Sequence, residues 1–298
     1  MTRLDGWALL IEFTKGDGLR KHARAVEDNW CAAWMTLGAV RAQPATHVDD
    51  TPGFVRVYTP GAPEMLLNIV LRYASQRPVE QDDIEQVIAP FRANRLPFQW
   101  WLTLGQEPAG LRDRLRELGM QSFGGATAMT LTLDDAWSPR FPPPAPGTRL
   151  SRLSNARGLR EALDVVCDVF YVPQAPMARW TADNSAFDLY GAERQGRIVA
   201  ALATLRVGHV VGVYHVATAV HARRRGLAGN LLILALREAR AAGCTLATLT
   251  ATPEARHLYE QLGFKTCGTI EQWVPGPELG LALASGRREL PVRTPFPW

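Results

Sequence analysis

At 298 residues, with 47% hydrophobic and 21% charged residues, the chain has the length and make-up of two ordinary globular domains. It contains no apolar run of about 18 residues, which excludes a membrane-spanning helix, and Met1-Thr2-Arg3-Leu4-Asp5 lacks the apolar core of a signal peptide. The net charge of +4 comes from scattered Lys and Arg without a nucleic-acid footprint, and the four cysteines, Cys31, Cys167, Cys244 and Cys267, form no metal-ligand or disulfide pattern, so a metal-free cytoplasmic protein is expected.

In chain order, the first clear signals are the apolar run Pro97–Leu102, a helical pattern over Leu111–Leu118, Gly119, and a strand-like stretch from Ala126 to Leu133. Residues 138–147, Ser-Pro-Arg-Phe-Pro-Pro-Pro-Ala-Pro-Gly, are too rich in proline for helix or central strand and read as a stiff spacer. The spacer predicts an N-terminal domain over 1–137 and a C-terminal domain over 148–274, with an ambiguous tail over 275–298. Thr148-Leu150-Arg152 alternates as a strand, and Asn155 caps a helix reaching Phe170. A short helix is expected over Pro176–Ala182. Asp188–Glu193 and Arg197–Arg206 flank Gln195-Gly196 as a hairpin. Then follow a strand over Val210–Thr218, a helix over 226–242 closed by Gly243, and a strand over Cys244–Leu249. A helix over Pro253–Leu262 closed by Gly263 and a strand over Phe264–Trp273 complete the pattern.

The chemistry gathers at Val216-Ala217-Thr218 and at Arg223-Arg224-Arg225-Gly226-Leu227-Ala228-Gly229. A strand end, a turn of small residues and a fresh helix N-terminus leave N–H groups free in the positive end of a helix dipole, which suits an anion. Three arginines at that end oppose the dipole, so local stability does not explain them, whereas an anionic partner does. The alternative is a solvated arginine run ahead of a buried strand and helix.

Arg223-x-x-Gly226-x-Ala228 resembles the acetyl-CoA signature of the GCN5-related N-acetyltransferase family, Q/R-x-x-G-x-G/A, and Val216-Ala217-Thr218 resembles that family's pantetheine-binding strand. Leu258-Tyr259-Glu260-Gln261-Leu262-Gly263-Phe264 is similar to its second motif, and the motifs stand in the family's order across about 148–274. The resemblance implies an α/β fold with a mixed sheet flanked by helices. It also implies direct transfer of an acetyl group from acetyl-CoA to a primary amine. Val216 to Thr218, Arg223 to Gly229 and Thr252 would bind the cofactor, and Tyr259 would be the general acid. Two positions depart from the pattern, Arg224 where the family often has Gly and Thr252 where it often has Asn. Tyr259 also reads as a half-buried aromatic on a helix.

The general base stays open among Glu193, Tyr214 and His215. Phe170, Tyr171, Trp180 and Phe187 are candidates for acceptor specificity or for core. The strand–helix–Leu-Gly–strand order of 97–133 echoes that of 244–273, with Leu115 in the place of Tyr259 and no cradle before it. A tandem protein with a degenerate first domain is therefore expected. The acceptor is a small-molecule or peptide amine, with no nucleic acid or membrane partner, and a homodimer is left open. The competing readings are an acetyl-CoA-binding regulatory module without turnover and a protein-interaction role for the first domain.

Overall fold

Alternating apolar residues joined by short turns build most of the sheet, and helices with one apolar face cover it. A computed structural model describes residues 18–40, 44–103, 107–181, 186–277 and 280. In chain order its elements are α1 (Gly18–Ala39), β1 (His47–Asp50), β2 (Phe54–Tyr58), β3 (Ile69–Tyr73), α2 (Gln81–Ala93), β4 (Gln99–Thr103), α3 (Leu111–Glu117), β5 (Met120–Thr132) and β6 (Thr148–Arg152). There follow α4 (Ala156–Phe170), α5 (Gln174–Met177), β7 (Phe187–Arg194), β8 (Arg197–Val207), β9 (Val210–Thr218), α6 (Leu227–Ala241), β10 (Leu246–Ala251), α7 (Pro253–Gln261) and β11 (Lys265–Pro275).

These elements form two compact units that are interleaved along the chain. Among the described residues, one unit takes 18–32 and 127–268, and the other takes 33–126 and 269–280. The first is called the cradle unit here because it holds Arg223 to Gly229. The expected division at 138–147 is not where the units part. That stretch lies inside the cradle unit, where Trp137 Nε1 donates to Leu262 O at 3.1 Å and Asn230 Nδ2 donates to Pro142 O at 2.8 Å. A proline-rich segment has free carbonyls and apolar rings, so it packs as a strap as readily as it spans solvent.

Within the cradle unit, β6, β7, β8 and β9 are antiparallel in sequence order, β10 joins β9 in parallel, and β5 closes onto β10 antiparallel. Within the companion unit, β1, β2 and β3 are antiparallel, β4 joins β3 in parallel, and β11 closes onto β4 antiparallel. The second pattern repeats the first with one strand fewer. Each half of the chain supplies the closing strand of the other half's unit. The parallel step needs a helical crossover, supplied by α6 in one unit and α2 in the other.

The expected elements of the C-terminal half are present with ends shifted by one or two residues. The exception is the helix expected over Pro176–Ala182, which divides into α5 and a 3-10 turn over Ala178–Thr181, with Ala182 outside the described residues. β5 starts at Met120, six residues before the expected Ala126. The tail beyond 280 also lies outside the described residues.

The cradle unit's main core joins Leu231, Leu232, Leu236 and Ala239 of α6 with Val211, Val213, Leu249, Met129 and Leu131 of the sheet. On the sheet's other face, α1 lies very close. His22 Nδ1 is 2.6 Å from Thr130 Oγ1, and the Tyr214 hydroxyl donates to Asn29 O at 3.0 Å and to Asn29 Oδ1. This approach requires glycine at 212, because a Cβ there would stand 1.8 Å from Asn29 Oδ1. Gly212→Ala is therefore expected to destabilise the protein by about 1–3 kcal/mol, the usual cost of overpacking. A urea midpoint equal to that of the wild type would show that α1 is not seated on β9.

Candidate active site

The site begins with a break in sheet pairing. β9 and β10 are partnered only from Val210↔Leu246 to Gly212↔Thr248, after which β9 continues with β8 alone. Between Ala201↔Ala217 and Ala203↔Tyr214, His215 and Val216 oppose the single residue Leu202, which is a β-bulge. His215 takes a left-handed conformation, φ 52°. A bulge adds twist and re-aims side chains, and here it turns the end of β9 away from β10. The β10-facing backbone edge of residues 216–218 is left without a strand partner.

After β9, a 3-10 turn over Val220–Ala222 leads to Arg223, Arg224 and Arg225, all exposed and without a carboxylate partner among the described residues. Arg223 Nε donates back to Thr218 O at 3.1 Å, tying the turn to the strand end. Gly226 is the N-cap of α6 at φ 72°, and no side chain caps the helix. A Cβ at Gly226 would come to 3.3 Å from Asn230 Nδ2 and to 3.6 and 3.7 Å from Pro142 O and Pro143 O, so the glycine lets Asn230 and the strap approach the helix start. Asn230 Nδ2 also donates to Gly226 O at 2.8 Å.

The expected cofactor residues divide by what their side chains do. Ala217 and Leu227 are buried; Leu227 packs with Ala192, Val199, Ala200 and Ala222, leaving its backbone as its contribution to the site. The space at Gly229 is taken by the Phe141 ring, whose Cζ would lie 2.2 Å from an added Cβ. That glycine admits the proline-rich strap and does not widen the cradle. Phe141 and Asn230 carried no sequence signal as site neighbours. Thr252 caps α7, accepting from Ala255 N at 3.3 Å, and Pro253 occupies the first helical position.

Tyr259 is buried in the core shared by α6, α7 and β10, edge-on to Phe264 at 5.9 Å, and Val216 packs against the same core. Burial raises its phenol pKa well above the ordinary value, so the proton is held throughout the neutral range. Of the three candidate bases, Tyr214 has its hydroxyl engaged by Asn29, and burial raises its pKa too. Glu193 is paired with Arg149 at 2.6 Å and with Arg157 at 4.0 Å. His215 has a buried Nε2 with no hydrogen-bond partner among the described residues, and burial lowers its pKa to about 4. Phe170, Trp180, Phe187, Tyr214 and His215, scattered along the sequence, form one aromatic cluster.

Residues 160–264 match the family described as Acetyltransferase (GNAT) family. The architecture is that of solved GCN5-related N-acetyltransferases. The protein of that name from Kribbella flavida is 20% identical, with 85% of this chain and 95% of that chain covered, at a TM-score of 0.63. A second, from Sphaerobacter thermophilus, is 16% identical over 86% and 94% of the two chains, at 0.56. A tandem GNAT protein from the clavulanic acid biosynthesis pathway is 15% identical over 85% and 96%, at 0.55. Among curated proteins, none matches the chain. Residues 160–264 are thus similar to the GNAT family, and the chain as a whole shares the mixed α/β fold of the solved N-acetyltransferases.

Proposed function

We propose that this protein is an acetyl-CoA-dependent N-acetyltransferase acting on a primary amine in the cytoplasm. The observation that carries the reading is the bulged, splayed end of β9 running into the uncapped, arginine-flanked N-terminus of α6. These residues fit acetyl-CoA. The free edge of Val216 to Thr218 suits amide groups that pair as an added strand does. Arg223, Arg224, Arg225, Gly226 and the first N–H groups of α6, through Ala228, suit a pyrophosphate. When bound, acetyl-CoA supplies an activated acyl thioester. The Tyr259 phenol keeps its proton at neutral pH and donates it toward sulfur as negative charge develops there. Thr252 fixes the start of the helix that carries Tyr259.

The companion unit, on this proposal, is a degenerate copy of the same fold. Its crossover helix α2 opens with Glu80, Asp82 and Asp83, and the Glu80 N–H donates to Asp83 Oδ2 at 2.9 Å. Carboxylates fill the place of a free anion cradle, and Leu115 is buried where Tyr259 has its counterpart. Calorimetry is therefore expected to give one acetyl-CoA per chain, and a stoichiometry of two would overturn the degenerate assignment. The activity itself is tested by following free-thiol release from acetyl-CoA with a panel of amines. Tight binding without any acetylation would favour the regulatory-module reading.

A further inference from the structure

Resting on that reading, we infer that His215, Phe170 and Trp180 form the acceptor site, and that it takes a weakly basic primary amine borne on an aromatic group, with His215 Nε2 accepting a hydrogen bond from the amine. His215 is the bulge residue immediately before the free edge of 216–218, so its ring is carried at the point where the sheet opens. A left-handed backbone at a non-glycine residue is costly, and such strain collects at functional positions. Its Nε2 is buried and unpartnered, which in an ordinary core is an expense without return. Trp180 stands edge-on to the imidazole at 4.3 Å and Phe170 at 5.8 Å, giving the site two aromatic walls. Neighbouring Tyr214 is committed to Asn29.

Charge decides which amine fits. No charged group contributes to the lowering of the His215 pKa, which comes from burial alone. The acids on neighbouring β7 are already matched, Asp188 with Arg152 and Arg206, and Glu193 with Arg149 and Arg157. Neither β7 carboxylate is thus free to receive a polycation. An imidazole with a pKa of about 4 holds protons far too weakly to take one from an alkylammonium near ~10. The amine has to arrive neutral. An α-amino group, with pKa about 7.7–8.0, is neutral roughly 10²-fold more often at pH 7.5 than an amine of the lysine type. The aromatic body then lies against Phe170 and Trp180.

The test compares L-phenylalanine amide, 2-phenylethylamine and spermidine as acceptors at pH 7.5 with saturating acetyl-CoA, in the full chain and in His215→Phe. Phenylalanine amide is expected to show a kcat/KM at least about tenfold above either other amine, from its larger neutral fraction and its ring. His215→Phe, which keeps a ring and removes the acceptor, should raise its KM about tenfold while leaving the acetyl-CoA Kd within about twofold, as loss of one acceptor hydrogen bond requires. Preference for spermidine or 2-phenylethylamine overturns the inference, as does unchanged kinetics in His215→Phe. Acetyl-CoA binding with none of the three amines acetylated overturns it too. Should His215→Phe fail to fold, the wild-type ranking of the amines decides alone. Absence of acetyl-CoA binding in the wild type would instead overturn the proposed function on which the inference rests.

Discussion

Acetyl-CoA binding is expected to disappear in Gly226→Glu and to persist in Gly226→Ala. Both variants place a side chain at φ 72°, where an L-residue costs about 1–2 kcal/mol, so both should lose a few degrees of thermal stability. The alanine Cβ meets the flexible end of Asn230 at 3.3 Å, which a small shift relieves, and stands in ordinary contact with Pro142 O at 3.6 Å and Pro143 O at 3.7 Å. The glutamate adds a carboxylate where the first turn of α6 and Arg223 to Arg225 favour a negative ligand. Two like unit charges about 4 Å apart repel by about 4 kcal/mol at an effective dielectric near 20. That corresponds to roughly 10³-fold in affinity, before any steric block. Calorimetric titration of both variants separates backbone strain from ligand exclusion. Equal affinity in Gly226→Glu and wild type would remove the cradle from α6.

Removal of the Tyr259 hydroxyl, as Tyr259→Phe, should lower kcat about 10²-fold and leave the acetyl-CoA Kd unchanged. The side chain packs against Phe264 and the α6 core through its ring, which phenylalanine keeps, so the melting temperature should barely move. A positioned general acid contributes about 10²–10⁴-fold. The lower end is expected here because burial makes the phenol hold its proton more tightly than a free thiol near 8.5 does. Donation then acts mainly as a hydrogen bond to sulfur that strengthens as charge develops. Single-turnover rates in both proteins, with the preferred amine, make the comparison independent of product release. An unchanged rate would leave Tyr259 as packing alone.

These effects converge on residues that the sequence singled out, because each rests on a local signal. Arg223-x-x-Gly226-x-Ala228 after an apolar strand implies an uncapped helix start, since local sterics and the absence of a capping side chain fix that geometry. Asn155 caps the helix it is expected to cap, by a side chain that reaches the backbone N–H three residues on, and Thr252 does the same for α7. Secondary structure in the C-terminal half was legible for the same reason, as periodicity and turn residues act over a few positions.

The division of the chain into units was not legible. Proline density at 138–147 marks irregular backbone, but whether that backbone bridges solvent or lies against a helix depends on a distant surface, here Gly229 and Asn230 of α6. Strand exchange is hidden likewise, because β5 and β11 read as good strands whichever neighbour they join. The fragment 148–298 accordingly lacks both β5 and α1 of the cradle unit.

The sequence by itself determined the succession of apolar strand, small-residue turn and helix at 210–241, since this follows from residue types at short spacing, while Tyr259 as candidate acid follows from the resemblance of 258–264 to a family motif. Only the tertiary structure decided which aromatics meet and which candidate bases are occupied. Tyr214 is taken by Asn29, 185 residues away in the chain, and Glu193 by Arg149 from the neighbouring strand. The buried His215 Nε2 has no hydrogen-bond partner among the described residues. Such pairings depend on contacts between residues far apart in sequence, and a single chain read in order carries no term for them.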